Sequence, residues 1–193
     1  MPTTLEGVLA RLRPRLRPPG PWPPPPAGRE RQAAVLVPFV AAGTEPALLF
    51  IRRAEGLDVH SGQIAFPGGN RDPDDAGPAA TAIREAGEEI GLAPAHVEVL
   101  GLLPEVATLS TGFCITGAVA LLAPGGVPRL DGREVAEAFT VPLARLADPA
   151  VYREEIRSTN GIARPVPFFH VEPYLIWGAT GRIVRQLLEH LRP

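Results

Sequence analysis

The chain has 193 residues, 45% of them hydrophobic and 21% charged, which is enough for one globular domain with a full-sized core. Its formal net charge of -2 and pI near 6.1 provide no broad basic field for a nucleic-acid backbone, so small-molecule partners are favoured over DNA or RNA. All 19 basic residues are Arg, which excludes Schiff-base lysine chemistry and a Walker-type phosphate lysine.

No targeting or anchoring segment is evident. The Arg-, Leu- and Pro-rich N-terminus lacks the continuous apolar region of a secretory signal, and no stretch approaches the roughly 20 apolar residues of a membrane span. The single cysteine, Cys114, lies in an apolar stretch and is interpreted as a buried small hydrophobe rather than a nucleophile. We therefore expect a cytoplasmic protein without membrane contact, with a homodimer as one option for its assembly.

The N-terminal segment has its own composition. Residues 3–13 have apolar side chains at helical spacing, and the Pro-dense run over residues 14–26 predicts extended, polyproline-like chain. This run is interpreted as a linker or a strap lying on the domain, in preference to a recruitment motif for a proline-binding module. We expect residues 1–31 to form this segment and residues 32–193 to form the folded domain.

Three strands are predicted next, from short apolar runs rich in β-branched residues. They span residues 33–40, 47–52 and 63–66. The third is expected to end at the Pro67-Gly68-Gly69 turn, which leads into a polar loop over residues 70–77.

A helix is predicted from Pro78, which suits a first helical turn, to Gly91, which with Pro94 ends it. Apolar residues recur at helical spacing between these limits, so one face packs on a sheet and the other faces outward. These residues are Ala79, Ala82, Ile83, Ala86 and Ile90.

The rest of the chain alternates between strand and helix patterns. Strands are predicted at residues 96–103, 115–123, 166–170 and 174–177, and helices at residues 142–146 and 179–191. This mixed order indicates an α/β fold, an α/β/α sandwich with a central mixed sheet. A regular parallel Rossmann arrangement fits less well, because no G-x-G-x-x-G follows a strand.

The central helix carries three carboxylates, Glu85, Glu88 and Glu89, at positions i, i+3 and i+4. Like charges at this spacing oppose helix formation by a few tenths of a kcal/mol each, and Gly87 opposes it by roughly another 1 kcal/mol. A hard divalent cation such as Mg²⁺ or Mn²⁺ would relieve the repulsion and share its remaining coordination sites with substrate phosphates. A solvated acidic helix face is the alternative.

The context of this helix resembles the Nudix box: Gly, five residues, Glu, seven residues, then Arg-Glu-U-x-Glu-Glu-x-Gly-U, where U is aliphatic. The chain has Gly69, five residues, Asp75, eight residues and then a full match over residues 84–92. Asp75 replaces the first Glu, and the spacer is one residue longer. The sequence is identified on these residues as a member of the Nudix family.

The Asp and the long spacer resemble the subgroup that hydrolyses coenzyme A. Its upstream pattern reads Leu-Leu-Thr-x-Arg-Ser-Ala, three residues, Arg, three residues, Gly, three residues, Phe-Pro-Gly-Gly. The chain keeps every spacing from Leu48 to Gly69, with Phe50, Arg53 and Asp58 in place of Thr, Ser and the second Arg. The loss of that Arg at Asp58 weakens any phosphate contact at this position.

The resemblance implies roles for the box residues. Glu85 and Glu89 would be metal ligands, Glu88 a further or water-mediated ligand, and the Gly69 carbonyl would complete the site, with Mg²⁺ or Mn²⁺ as cofactor. Arg84 would fix the loop against the helix, with Asp75 as its partner. Simple surface charges are the alternative for this last pair.

Two further sets of residues are candidates for the site. The candidates for the general base are Glu88 within the box and Glu134 or Glu137 beyond it. The last two are expected on a loop or a helix start. The diphosphate or the 3'-phosphate would meet arginines near Gly68 and Gly69. The arginine candidates are Arg52, which falls on the family pattern, together with Arg53 and Arg71.

Three functions remain open at this stage. The leading one is metal-dependent hydrolysis of coenzyme A, or its thioesters, to 4'-phosphopantetheine, or its acylated form, and adenosine 3',5'-bisphosphate. The second is a Nudix pyrophosphatase for ADP-ribose, NADH or another nucleoside diphosphate derivative. The third is a non-catalytic nucleotide-binding module, against which the intact Glu85, Glu88 and Glu89 argue.

Overall fold

The fold is known from a computed structural model. It describes residues 3–27, 31–42, 45–54, 62–108, 112–126, 128–130, 133–159 and 162–192. In this part of the chain the helices are α1 (Leu5–Leu12), α2 (Pro78–Ile90), α3 (Leu143–Leu146) and α4 (Gly178–His190). The strands are β1 (Arg31–Ala42), β2 (Glu45–Arg53), β3 (Ile64–Ala65), β4 (Gly68–Asn70), β5 (Val97–Leu102), β6 (Val106–Ala107), β7 (Phe113–Leu122), β8 (Val135–Pro142), β9 (Tyr152–Thr159), β10 (Ile162–Val171) and β11 (Tyr174–Trp177).

The central sheet is mixed, as predicted. β1 runs parallel to β7 and antiparallel to β2 and β4, and the main strand order is β3-β2-β1-β7-β5. β8 pairs with β2, and β6 pairs with β7. The α/β fold class with a central mixed sheet is therefore confirmed.

Both faces of the central sheet are buried, which explains why β1 is almost continuously apolar. Ala34 and Leu36 pack against α2, whereas Val37 and Phe39 pack into a second core shared with α1 and α4. Side chains on a strand alternate between faces, so adjacent residues of β1 belong to different cores. Helices on both sides of the sheet complete the sandwich.

A small antiparallel sheet of β9, β10 and β11 lies beside the α1 and α4 layer. Phe169 and Ile176 are on its inner face and belong to the same core as Phe39. Phe168 and Trp177 are paired across β10 and β11, one position along from those residues, and therefore lie on the opposite face.

Helix α2 has the predicted bounds. Pro78 occupies its first turn, and Gly91 ends it in the left-handed conformation with a φ of 64°. The Gly91 N–H bonds back to the carbonyls of Ala86 and Gly87, so carbonyls left over at the helix end are satisfied. Glycine suits this position because it has no Cβ to oppose a positive φ.

Several predictions about strands were wrong. The Gly68-Gly69 segment is not only a turn, since β4 pairs with β1 along Ala33–Val35. Glu137 lies on β8 and not on the expected loop or helix start, whereas Glu134 lies in a bend immediately before that strand. β6, β8 and β9 were not predicted as strands. The upstream positions 55–61, including Asp58, lie outside the described residues.

The N-terminal segment contacts the rest of the chain at several of its described residues. Val8 and Leu12 of α1 are fully buried in the core on its side of the sheet. Arg17 forms a β-bridge with Leu102, and Trp22 packs against the core under α2. None of the described helices has the length and apolar character that crossing a membrane demands.

The N-terminal and C-terminal segments also contact each other. Arg11 Nη1 donates to the carbonyl of Leu191 at 3.1 Å, and Arg15 Nη1 donates to the carbonyls of His190 at 2.8 Å and Arg192 at 2.5 Å. These acceptors lie at the end of α4, where helix carbonyls lack partners within the helix.

Candidate active site

An Asp75–Arg84 ion pair joins the polar loop to α2. Arg84 Nε and Nη2 donate to the two Asp75 carboxylate oxygens at 3.2 Å and 3.1 Å, and Arg84 Nη2 also donates to the Asn70 carbonyl at 3.0 Å. The Asp75 carboxylate accepts two further bonds, from the Thr81 hydroxyl at 2.6 Å and the Asp72 N–H at 2.9 Å. Burial alone would raise the pKa of Asp75, but these bonds lower it to about 2.

Arg84 also faces the box glutamates. Its Nη1 lies 3.0 Å from Glu85 Oε1 and 3.1 Å from Glu88 Oε2. One guanidinium therefore holds the loop, the helix and the Glu85 carboxylate in a fixed arrangement, which is the orienting position expected of this arginine.

Glu89 is the most buried carboxylate of the site, with 4% of its side chain exposed. It accepts a bond from the Gly68 N–H at 2.9 Å and pairs with Arg53 Nη1 at 3.2 Å. Burial raises its pKa to about 7; the Gly68 N–H and Arg53 oppose this rise, and the charges of Glu85 and Glu134 add to it.

Glu85 lies against the Gly69 backbone. A Cβ placed on Gly69 would be 2.4 Å from the Glu85 carboxylate, so the missing side chain of Gly69 makes room for that group. Burial raises the pKa of Glu85, Arg84 opposes the rise, and the charges of Glu88 and Glu134 add to it. The carboxylates of Glu85 and Glu89 therefore lie next to Gly69 and Gly68, respectively.

Glu88 does not share the surroundings of Glu89, because 60% of its side chain is exposed while Glu89 is buried. Successive residues of a helix are rotated by about 100°, so the side chains at positions 88 and 89 leave the helix in different directions. Glu134 instead joins the cluster from outside the helix. Its carbonyl accepts from the Ala54 N–H at 2.8 Å, and its charge acts on both Glu85 and Glu89.

The donors around Gly69 fit a hard divalent cation. Carboxylate oxygens are the ligands that Mg²⁺ and Mn²⁺ take, and a cation would stabilise the charged forms of Glu85 and Glu89, whose pKa values are raised mainly by burial and further by neighbouring carboxylates. Within the described residues, however, no group of three or more Asp, Glu, His or Cys side chains is close enough to hold an ion. The residues around Gly69 therefore fit a hard divalent cation in the type of their donor atoms and in their charge.

The arginine candidates separate into two groups. Arg53 pairs with Glu89 and lines a cavity beside the glycines. Arg52 pairs with Glu137 at 3.0 Å, and Glu137, one of the candidate bases, also accepts from the Tyr174 hydroxyl at 2.6 Å, so its carboxylate is held by these two partners.

Arg71 is bound to the N-terminal segment and the adjoining strand. Its Nη1 donates to Gln32 Oε1 at 2.8 Å, and its guanidinium lies 5.5 Å from the centre of the Trp22 ring. Neither Arg52 nor Arg71 is in the described lining of the cavity, so the geometry does not favour either as a substrate contact.

The cavity has a volume of about 950 Å³, at the upper end of the range for small-molecule sites. Gly68, Gly69 and Arg53 line part of it; Gly68 and Arg53 contact the buried Glu89, and Gly69 lies against the partly buried Glu85. Phe168 and Trp177 line another side. The described site thus combines a charged region with an apolar wall.

Strands were predicted within β10 and at β11, but their place in a wall of the cavity, together with β9, was not. The signal for this wall was present in β10 and β11, where Val166 and Phe168, then Leu175 and Trp177, recur at every second residue. This period places each pair on one face of a strand. Arg157 of the unpredicted strand β9 lies on the same wall.

Comparisons with known proteins identify the fold. A family model described as NUDIX domain matches residues 30–159. An uncharacterized Nudix hydrolase, NudL, of Photorhabdus laumondii is 39% identical over 173 residues, covering 88% of this chain and 91% of the relative. The protein of the same description in Salmonella paratyphi B is 40% identical over 158 residues, covering 82% and 81% of the two chains.

Solved structures agree with this assignment. A Nudix hydrolase from M. smegmatis, RenU, has a TM-score of 0.51 and 30% identity, covering 61% of this chain and 73% of its own. A C. elegans Ap4A hydrolase in a binary complex has a TM-score of 0.51 and 19% identity, covering 59% and 81%, which is a likeness of fold. By its family match, its relatives and its fold, the chain belongs to the Nudix hydrolase family.

Proposed function

We propose that this Nudix hydrolase cleaves the diphosphate linkage of coenzyme A, and of its thioesters, releasing 4'-phosphopantetheine or its acylated form and adenosine 3',5'-bisphosphate. The coarser activity, hydrolysis of a nucleoside diphosphate derivative, follows from family membership. The observation that carries the finer proposal is the upstream pattern, whose spacings are all kept from Leu48 to Gly69.

The cavity supports a long substrate with both anionic and apolar parts. Its described lining includes four arginines and no Asp or Glu, so it favours negative charge. These arginines are Arg31, Arg53, Arg157 and Arg182. Aromatic and aliphatic side chains cover much of the remaining wall, which suits the weakly polar parts of such a substrate.

The residues divide the work of hydrolysis as follows. Glu85 and Glu89, with the Gly69 carbonyl, would hold Mg²⁺ or Mn²⁺. When bound, such an ion would neutralise phosphoryl charge and lower the pKa of a water molecule, so that the water loses a proton and becomes nucleophilic. Arg84 keeps the Glu85 carboxylate oriented through its 3.0 Å contact. Glu134 is favoured over Glu88 as the base, because Glu88 is bound to Arg84 and Glu134 approaches both ligands from another segment.

A substrate panel tests the specificity. Coenzyme A, acetyl-coenzyme A, ADP-ribose and NADH would each be incubated with the protein and Mg²⁺ or Mn²⁺, and products separated by chromatography. We expect the highest kcat/KM for coenzyme A or its thioester. Equal or faster turnover of ADP-ribose would refute the coenzyme A proposal and support the second candidate, and no turnover of any compound would support the binding module.

A matched pair of variants tests the glutamate site. Glu85→Gln keeps the size of the side chain and removes its charge, so kcat should fall at least about 100-fold while the thermal unfolding temperature stays near that of the wild type. Glu189→Gln on α4, where the side chain is exposed and paired with Arg185, is the control and should keep full activity. Undiminished turnover by Glu85→Gln would remove Glu85 from the mechanism.

A further inference from the structure

The outer face of the small sheet carries a stacked aromatic pair. The rings of Phe168 and Trp177 have centroids 5.7 Å apart and planes within 1° of parallel. Phe168 is 3% exposed because Trp177 and neighbouring side chains cover it, whereas Trp177 is 40% exposed. Trp177 is one of the few large apolar side chains that the described surface exposes to this extent, and it lies on the wall of the cavity.

Two arginines flank the aromatic pair. The guanidinium carbons of Arg153 and Arg157 lie 5.4 Å and 5.5 Å from the centre of the Phe168 ring. Both arginines pair with the same acid, Glu155, at 3.1 Å and 2.5 Å. Two positive charges thus face one negative charge, which leaves an excess of positive charge beside the rings.

This cluster is continuous with the candidate active site. Arg157, Phe168 and Trp177 line the same cavity as Gly68 and Gly69, the glycines that contact Glu89 and Glu85. Strand β11, which ends at Trp177, also contacts β3, which immediately precedes that glycine segment. A ligand with its diphosphate at the glycines can therefore extend along the cavity to the aromatic pair.

We propose that Trp177, backed by Phe168, stacks on the purine ring of the substrate and that Arg157 binds its ribose phosphate, the 3'-phosphate in coenzyme A. The proposal rests on the function proposed above, which supplies a substrate with both groups. An aromatic ring with a neighbouring guanidinium matches the flat face of a base next to a phosphate. The pantetheine arm has neither a flat ring nor a charge for this cluster to recognise.

Tryptophan fluorescence tests the subsite without turnover or metal. The chain has two tryptophans, so a Trp22→Phe variant reports on Trp177 alone. We expect adenosine 3',5'-bisphosphate to quench this emission saturably and 4'-phosphopantetheine to leave it unchanged. Quenching by 4'-phosphopantetheine alone, or by neither compound, would overturn the proposal.

Substitution of Trp177 separates substrate binding from chemistry. Trp177→Leu keeps an apolar cover over Phe168 and removes the stacking ring, so KM for coenzyme A should rise roughly tenfold or more while kcat changes less than about twofold. Trp177→Tyr should restore most of the affinity. Ile156→Ala is the control, since Ile156 is exposed on the other face of the sheet. An unchanged KM in Trp177→Leu would contradict stacking.

Substitution of Arg157 tests the phosphate contact. Arg157→Gln should weaken adenosine 3',5'-bisphosphate binding about tenfold and leave AMP binding unchanged, because only the former has the second phosphate. Arg145→Gln, a surface change on α3, is the matched control. Equal weakening of both nucleotides would contradict a role for Arg157 in recognising the 3'-phosphate.

The two proposals can fail separately. If adenosine 3',5'-bisphosphate quenches Trp177 but coenzyme A is not hydrolysed, the subsite stands and the proposed substrate is wrong. If coenzyme A is hydrolysed but Trp177→Leu has an unchanged KM and Trp177 is not quenched, the substrate stands and the subsite is wrong. Thermal unfolding of each variant establishes that these readouts come from folded protein.

Discussion

The substitution Gly69→Ala would test whether the position of the Glu85 carboxylate controls catalysis. The added methyl group would lie 2.4 Å from Glu85 Cδ and Oε2 and 2.6 Å from Oε1, whereas ordinary contacts of a Cβ are 3.4 Å or longer. The carboxylate must therefore retreat by about 1 Å. A displacement of this size at a reacting centre can lower the rate about 100-fold, which is the fall in kcat we expect.

The same substitution should leave the fold intact. The conflicting atoms are the far end of a flexible side chain, and Gly69 does not have a positive φ, so the free energy of unfolding should change by less than about 1 kcal/mol. Gly68→Ala provides the contrast. Its methyl group would lie 2.4 Å from the Ala34 carbonyl oxygen, and its φ is +156°, so it should cost roughly 3 kcal/mol or more.

Urea unfolding and steady-state kinetics on the best substrate of the panel would be measured for both variants, together with Mn²⁺ affinity by calorimetry. We expect Gly69→Ala to be stable, slow and weak in binding Mn²⁺, and Gly68→Ala to be unstable. Wild-type kcat in Gly69→Ala would refute the reasoning, since a displaced Glu85 would then be catalytically irrelevant. Unfolding of Gly69→Ala would show instead that Glu85 cannot move.

Three further substitutions test stability. Gly87→Ala should raise the free energy of unfolding by roughly 0.5–1 kcal/mol in a urea titration, because its methyl group meets only an ordinary 3.5 Å contact and alanine favours the helix. Asp75→Asn should lower the free energy of unfolding by about 2 kcal/mol at pH 7, because the pKa of Asp75 is about 2 in the folded state and 3.8 ordinarily. The charged Asp75 contributes this stability above pH 3.8, and the contribution is lost as pH falls towards 2. The free energy of unfolding of the variant should therefore fall less than that of the wild type over this interval. A pH series that is equally steep for both proteins would contradict the Asp75–Arg84 account. Leu12→Ala should cost roughly 2–5 kcal/mol by thermal or urea unfolding, because Leu12 is fully buried, and a loss below about 1 kcal/mol would show that α1 does not share the core.

The elements that the sequence predicted well have a strong period or a long apolar run. β1 and β2 are buried on both faces, and α2 has one apolar stripe with a proline at its start and a glycine after its end. These signals are local, so they can be recognised without knowing which elements pack against each other in the fold. The mixed order of such elements was enough to identify the fold class.

The missed strands depend on their partners. β4 is Gly68-Gly69-Asn70, whose residues have low strand propensity, yet it is held by pairing with β1. β8 contains Ala and Glu, which favour helices, and becomes a strand because it pairs with β2, as in the register of Phe139 with Phe50. Pairing between residues so distant in the chain leaves no local pattern.

The contacts of the candidate site were likewise predictable where they are local in sequence and not where they join distant strands. The spacing of Asp75, Arg84 and Glu85 was visible in the sequence because these residues lie on one loop and one helix. The pairing of Arg52 with Glu137 was not, because it requires β2 and β8 to be neighbours. Arg52 matched the family pattern, but its guanidinium is already bound within the sheet.

The contact between α1 and the end of α4 has a consequence for the order of folding during synthesis. α1 is translated well before α4, but its buried residues Val8 and Leu12 belong to the same core as Leu187 and Leu191. The hydrogen bonds from Arg11 and Arg15 likewise cannot form before the carbonyls at the end of α4 are available. The apolar face of α1 therefore cannot be fully covered until α4 has been translated, and the core on that side of the sheet closes only after that helix is available.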